Sequence, residues 1–182
     1  ATARILVPAD GSLGLSWTLP DFNDAAWLEG RLAIGFDTAT GFEDYIATDI
    51  EAAMYGANSS VYVRVSFDLP ADLFDGVRPT FGGLYLDVQY DDGLFAWLNG
   101  KLAASQNAPA APAWDSRATA AHPDAEAVGF ERIDISAHVG SLRPGRNVLA
   151  LQGLNASAAG GDLLLGPRLE GRADAAGVVL EA

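Results

Sequence analysis

The stretch SVYVRVSFDL, residues 60–69, decides the fold class, because apolar side chains occupy every second position. Val61, Val63 and Val65 begin this alternation, and polar residues such as Arg64 stand between the apolar ones. Successive side chains of a β-strand point to opposite faces, so a period of two is typical of a strand with one buried face. The sequence therefore predicts a half-buried strand over these ten residues.

The segment of residues 81–104 contains two apolar runs, each followed by residues that favour turns. The pair Asp92-Gly93 stands between the runs, and Asn99-Gly100 follows the second run. Asp-Gly and Asn-Gly pairs next to strand-like runs favour two-residue hairpin turns. We therefore predict a three-strand meander with tight corners in this segment.

Other short apolar runs, separated by turn-rich segments, extend this pattern along the chain. They predict further strands at residues 5–8, 45–50, 130–135, 147–154, 163–165 and 178–181, and short helical turns at 21–27 and 51–55. Many short strands without a long helical period are typical of an all-β protein, here an antiparallel β-sandwich or jelly roll. A chain of 182 residues suits one domain, which we place at residues 1–171, with 172–182 as a C-terminal tail or last edge strand.

The composition excludes several classes of partner. The chain has 24 acidic and 11 basic residues, for a net charge of −13, and we expect it to repel nucleic acids and anionic membranes. It contains no cysteine and no long apolar span, and Lys101 is its single lysine, a bias typical of GC-rich bacterial genes. Since the sequence begins at Ala1, we expect a mature or excised piece of a larger, soluble product. The acidic excess would suit a secreted bacterial protein in an extracellular or saline setting.

Signatures of enzymes are missing from the sequence. His122 and His138 are its only histidines, and neither belongs to a metal-binding His-x-x-x-His pattern or follows a G-x-S-x-G nucleophile motif. The 17 aspartates would offer carboxylate pairs for glycoside hydrolysis, but no feature selects one pair. We therefore expect a non-catalytic domain rather than a stand-alone hydrolase.

Carboxylates in turns are the candidate metal ligands. Asp21, Asn23 and Asp24 share one turn, where their oxygens suit calcium, although Asp21 or Asp24 would equally serve as a cap of that turn. The same two interpretations apply to Asp91 and Asp92, as metal or ligand contacts or as turn formers beside a glycine.

Trp114 is the main candidate for a binding residue. It lies in the long irregular stretch of residues 103–128, which is rich in alanine and proline, and no core periodicity requires its burial. Its ring would stack on the apolar face of a sugar, or else fold back to plug one end of the sandwich. Arg64 faces away from the valines, where it would donate to a ligand, remain a solvated strand residue or pair with a nearby acid.

Several short motifs occur together in a distinctive order. They are DFND at residues 21–24, VYVR at 61–64, YDDG at 90–93, WLNG at 97–100 and GRNVLAL at 145–151. This succession resembles the galactose-binding-domain-like β-sandwich family over residues 5–170. The resemblance implies a jelly roll, often with one structural calcium ion and with carbohydrate bound by loops at one end. It places the calcium ligands at Asp21, Asp24 and Glu170.

The sequence thus leads to a non-catalytic carbohydrate-binding module that recognises neutral glycans. Trp114 or Tyr90 would be the stacking platform, with Asn107, Asp92 and Arg64 as polar partners. The alternative is a structural or adhesion module that docks neighbouring domains of a larger chain and binds no sugar.

Overall fold

Short β-strands form most of the regular structure. The computed structural model describes residues 1–173 and 176–178. In this part of the chain the strands are β1 (Thr2–Leu6), β2 (Leu28–Arg31), β3 (Ile34–Asp37), β4 (Thr48–Asp49), β5 (Ser60–Leu69), β6 (Phe74–Asp75), β7 (Arg78–Pro79), β8 (Gly83–Asp91), β9 (Gly93–Leu98), β10 (Lys101–Gln106), β11 (Glu131–Asp134), β12 (Gly145–Leu154), β13 (Asp162–Ala173) and β14 (Ala176–Val178). Two short α-helices, α1 (Glu51–Met54) and α2 (Asp124–Ala127), and 3-10 turns at Ser16–Thr18, Ala71–Leu73 and Ser136–Ser141 complete the described elements.

The longer strands assemble into two sheets. The first sheet has the order β10-β9-β12-β5-β1-β2, and the second has the order β11-β8-β13-β3-β4, with β14 paired to β13. The pairs are antiparallel except for β3 with β4. The predicted all-β sandwich is confirmed, and its architecture is the one that the resemblance to galactose-binding-domain-like proteins implies.

The main hydrophobic core lies between the two sheets. Val61, Val63 and Val65 of β5 contribute to it from the first sheet, and Leu86 and Val88 of β8 contribute from the second. All five side chains are buried. The period of two in both strands therefore identified the face that packs inward.

The expectation that β5 is half buried holds only near its end, where Ser66 and Asp68 are exposed. Tyr62 and Arg64, on its other face, are as buried as the valines, because residues 10–27 and 108–118 fold over the outer face of the first sheet. Trp17 stacks on Tyr62 with 4.0 Å between ring centroids, and Trp97 meets Trp17 edge-on at 5.4 Å. These aromatic side chains, which come from β5, β9 and the covering loop, form a second hydrophobic cluster on the outer face of the first sheet.

The predicted meander is half correct. Asn99 and Gly100 form the turn between β9 and β10, with φ values of 49° and 82° that suit a two-residue hairpin. Asp92 and Gly93 do not form a hairpin, since β8 belongs to the second sheet and β9 to the first. Strand β9 pairs instead with β10 and β12 of the first sheet, and both of its faces are buried.

The remaining predicted elements agree unevenly with the structure. Residues 51–55 contain α1, whereas residues 21–27 form turns without a helix, and the predicted strand at 45–50 is reduced to β4. Strands β2 and β3 were not among the predicted strands. Residues 176–178 form β14, and the rest of the predicted strand at 178–181 lies outside the described residues. No helix in the described ranges has the length and apolar character needed to cross a bilayer.

Candidate functional site

A cavity of about 220 Å³ opens on the outer face of the first sheet. Its lining residues are Gly11, Gly14, Leu15, Tyr62, Pro112, Ala113, Trp114 and Gln152. Tyr62 of β5 and Gln152 of β12 are paired across the two strands and form the floor. The two loops that cover this sheet supply the walls, with Leu15 on one side and Trp114 on the other.

Buried polar groups hold the wall that carries Trp114. Its carbonyl oxygen accepts hydrogen bonds from the Ser60 hydroxyl at 2.7 Å and from Asn58 Nδ2 at 3.3 Å. Gln152 Nε2 donates to the Ala113 carbonyl at 2.7 Å and to Ser60 Oγ at 3.0 Å. The backbone beside the tryptophan is therefore fixed to the sheet, while the half-buried ring faces the cavity.

The opposite wall approaches the tryptophan ring closely at Gly11. A Cβ atom at this position would lie 2.9 Å from Trp114 Cδ1, so a larger residue would displace the ring. The glycine thus allows the two walls to meet at one end of the cavity.

The phenol of Tyr62 remains uncharged at neutral pH. Burial, assisted by the negative charge of Asp115, raises the pKa of Tyr62 to about 12. The floor therefore presents a neutral hydroxyl beside a neutral amide.

Tyr90, the other predicted stacking platform, is not available as one. Its side chain is buried, its ring stacks on His122 at 4.2 Å, and its hydroxyl lies 3.1 Å from Glu131 Oε2, to which it donates. Burial and the adjacent Glu131 carboxylate raise the pKa of Tyr90 to about 12. The tyrosine therefore belongs to the interior.

Arg64 forms a buried ion pair rather than a ligand contact. Its Nε donates to Asp24 Oδ2 at 2.7 Å, and only 1% of the arginine is exposed. The same guanidinium donates to the carbonyl oxygens of Trp17, Leu19 and Phe22. It fixes the covering loop of residues 16–24 to β5.

Asp92 and Asn107 stabilise the backbone between the sheets. The Asp92 carboxylate accepts from the backbone N–H groups of His122 at 3.0 Å and Ala156 at 2.7 Å. Asn107 Nδ2 donates to the Asp92 carbonyl oxygen at 2.9 Å. Of the five predicted binding residues, only Trp114 lines the cavity.

Tyr62 and Gln152 were not among the predicted site residues. Alternation in residues 60–69 places Tyr62 opposite the valines, on the face predicted to be exposed, whereas residues 147–154 show no clear alternation that assigns a face to Gln152. No local signal in the sequence shows that a distant loop will cover that face.

The three carboxylates predicted to ligate calcium are not brought together. Asp24 pairs with Arg64, and the exposed Asp21 lies 3.3 Å from Arg143 Nη2. Glu170 is on the second sheet, where Arg172 and Arg132 hold the pKa of its carboxyl below the ordinary value. Within the described ranges, no group of three or more acidic or histidine side chains is arranged to hold a metal ion.

Asp91 has the most unusual environment among the described carboxyl groups. Only 2% of the residue is exposed, and its Oδ1 has no hydrogen-bond partner among the described residues. Burial, together with the charges of Asp92, Asp162 and Asp124, raises the pKa of Asp91 to about 8. Burial also raises the pKa of Asp162. An isolated buried carboxylate is costly, so Asp91 retains a proton at neutral pH.

Comparison with known proteins gives structural similarity without a close relative. No protein-family model matches the chain, and no curated protein sequence matches it. The chain is similar to the β-glucuronidase of Bacteroides uniformis, with a TM-score of 0.49 and 14% identity over 92% of this chain and 17% of that one. It is also similar to the β-glucuronidase of Ruminococcus gnavus, with a TM-score of 0.48 and 13% identity over 85% of this chain and 20% of that one.

A third similar structure is a β-glycosidase of Bacteroides vulgatus. The TM-score is 0.45 and the identity 13%, over 92% of this chain and 19% of that one. The chain thus spans about a fifth of the length of these solved chains.

Proposed function

We propose that the chain is a non-catalytic carbohydrate-binding domain that holds one neutral sugar unit in the cavity beside Trp114. The observation that carries the proposal is the cavity itself, where the half-buried indole ring of Trp114 stands over a floor of neutral polar groups. The setting we propose is a secreted bacterial protein in which this domain has neighbours in the same chain.

The lining suits the two faces of a sugar ring. An indole ring packs against the apolar C–H face of a pyranose, and hydroxyl and amide groups nearby bond its hydroxyls. Here Trp114 would supply the ring, while the Tyr62 hydroxyl and Gln152 Oε1 form the polar floor, since Gln152 Nε2 already donates to Ala113 and Ser60. A volume of about 220 Å³ is below the range of about 300–1,000 Å³ typical of drug-sized ligands, which supports one sugar unit.

The charges around the cavity favour a neutral ligand. None of the eight lining residues is charged, and Asp115 follows Trp114 directly. A sugar carboxylate or sulfate would meet this negative charge without a lining cation to offset it. The lining also offers no carboxylate pair for glycoside hydrolysis, which supports binding without catalysis.

A docking module that binds no sugar is the second candidate. Leu15, Leu19 and Leu102 are each about half exposed, and Leu19 packs beside Gly100 in the turn that precedes Leu102. Exposed apolar residues close together often mark contact with another protein. The glycan experiment below distinguishes the two candidates.

Trp114→Ala is expected to weaken glycan binding about tenfold or more, since it removes both the stacking surface and a cavity wall. An array of neutral oligosaccharides would identify a ligand, and calorimetric titration would give its affinity for wild type and variant. Trp114→Phe, which keeps an aromatic face, should retain part of the affinity.

The matched control is Tyr45→Ala, because Tyr45 is an aromatic residue 42% exposed and absent from the cavity lining. It should bind like wild type, and circular dichroism should show that all variants are folded. A wild-type protein that binds no glycan, or a Trp114→Ala variant with unchanged affinity, would contradict the proposal and favour the docking module.

A further inference from the structure

The segment of residues 122–128, which contains α2, covers the end of β8, from the Tyr90 ring, on which His122 stacks, to Gln89 on the opposite face of the strand. Three hydrogen bonds attach it there. Gln89 Nε2 donates to the Val128 carbonyl at 2.5 Å, and the His122 N–H donates to Asp92 Oδ1 at 3.0 Å. The third joins His122 Nδ1 to the Tyr90 carbonyl at 2.7 Å. We call residues 122–128 the latch segment.

Apolar contacts complete the attachment. Ala127 of the latch segment packs with Phe42 and with Leu164 of β13, and all three side chains are buried. Leu164 is paired with Asp91 across β13 and β8. The buried carboxyl group therefore lies beside the small apolar cluster that the latch segment covers.

Asp91 and Gln89 share one face of β8, because they are two residues apart on a strand. Gln89 bonds the latch segment, whereas Asp91 Oδ1 has no partner among the described residues. A neutral carboxyl group is tolerated in such a position, but a carboxylate there loses its hydration without gaining a hydrogen bond or a cation.

The charges that face Asp91 are of the same sign. They comprise Asp92 at the corner between β8 and β9, Asp162 at the start of β13 and Asp124 at the start of α2. Asp37, at the end of β3, adds a negative charge beside Asp162. On the other side of the segment, His122 Nε2 lies 3.1 Å from Glu131 Oε1 and 3.9 Å from Glu126 Oε2. Ionised Asp91 would thus repel Asp124 of the latch segment itself.

We propose that the corner of Asp91 and Asp92 is a pH-sensitive latch, which keeps residues 122–128 on the second sheet while Asp91 is protonated and releases them when Asp91 ionises. Release exposes the apolar cluster of Phe42, Ala127 and Leu164. The pKa of Asp91, about 8, places this opening on the alkaline side of neutrality.

The opening is local. The part of the same loop that carries Trp114 is held by its own bonds to Asn58 and Ser60. Ala118 N–H also donates to the Asn155 carbonyl at 3.1 Å, outside the latch segment. The latch is therefore independent of the proposed sugar site, and its test needs no glycan.

Hydrogen exchange of backbone amides tests the latch, read as protection factors that correct for the intrinsic pH dependence of exchange. Between about pH 6 and about pH 9, protection of residues 127–129 in wild type should fall about tenfold and stay well below that of β12, whose amides exchange only through global unfolding. In Asp91→Asn the fall should be less than about twofold, because no charge develops at the corner. Carbon NMR should show the Asp91 carboxyl group titrating over the same range.

Asp21→Asn is the matched control, since it removes an exposed carboxylate on the other sheet and should retain the wild-type fall. If Asp91→Asn does not fold, Asp124→Asn serves instead and should reduce the fall by removing the opposing charge from the segment. Constant protection in wild type, an undiminished fall in the variant, or protection of residues 127–129 equal to that of β12 would each overturn the latch.

Discussion

Arg64→Leu is expected to lower the free energy of unfolding by about 4 kcal/mol, because removal of one partner of a buried ion pair leaves the other charge uncompensated. Asp24 would lose the guanidinium that lies 2.7 Å from its carboxylate, with only 12% of its own side chain exposed. The Trp17 carbonyl oxygen would lose its bond to the guanidinium, and the Leu19 carbonyl oxygen would retain only the Phe22 N–H as donor, at 3.2 Å. The leucine would add apolar surface but none of these bonds.

Chemical denaturation followed by tryptophan fluorescence would measure the loss. Arg4→Leu provides a matched control on the neighbouring strand, since Arg4 is paired with Arg64 across β1 and β5. Its ion pair with Glu29, at 2.8 Å, has side chains that are 34% and 60% exposed, so its removal should cost less than about 1 kcal/mol. Equal losses of unfolding free energy in Arg64→Leu and Arg4→Leu would show that the buried ion pair stabilises the fold no more than the exposed pair does.

A double variant separates the loss of the ion pair from the loss of packing. Asp24→Asn added to Arg64→Leu removes the uncompensated charge and should recover part of the stability. If the second change recovers nothing, the lost bonds to the loop carbonyls, rather than the charge, account for the destabilisation.

Asp91→Asn is expected to raise the free energy of unfolding by about 3 kcal/mol at alkaline pH and to change it little near pH 4. The pKa of Asp91 in the folded protein is about 8, against an ordinary value of 3.8. The folded state therefore binds this proton more tightly than the unfolded chain. Stability from this group is fully present below about pH 4 and is lost as pH rises to about 8.

Asparagine removes the titration but keeps the shape of the side chain, so the variant and wild-type curves should diverge across this range. The expected gain is below the full value of the pKa shift, because neighbouring carboxylates and solvent reduce it. Denaturant unfolding at several pH values would measure both curves. Parallel curves would contradict the assignment of a buried proton to Asp91.

Asp87→Asn is a control in which the pH dependence of stability has the opposite sign. The Arg132 guanidinium, which donates to the Asp87 carboxylate at 2.7 Å, holds the pKa of Asp87 below its ordinary value. Stability from this group is present above about pH 4 and is lost as pH falls through the lowered pKa. Its asparagine variant should thus be less stable than wild type at neutral pH.

The fold class was predictable because its signal is local. Alternation in residues 60–69 and 84–90 identified strands and their inward faces, and Asn99-Gly100 identified a hairpin through the positive φ angles that such a turn requires. These features depend on residues close together in the chain. Trp114 was likewise found as an aromatic residue in a loop without core periodicity.

The roles of the other predicted binding residues were less predictable, because these residues have partners distant in sequence. Arg64 was expected to contact a ligand, to remain solvated or to pair with an acid, and the covering loop provides Asp24 for the last role. Asp92 resembled a turn residue, yet its carboxylate holds two backbone N–H groups from segments far along the chain.

The sequence by itself determined that this protein is an antiparallel β-sandwich and which strand faces form its core. The tertiary structure decided which sheet each strand joins, that Asp92-Gly93 connects the sheets, and that loops cover Tyr62 and Gln152 to form a cavity. The physical reason is that side-chain alternation follows from backbone geometry within one strand, whereas burial of the second face depends on contacts between segments remote in sequence.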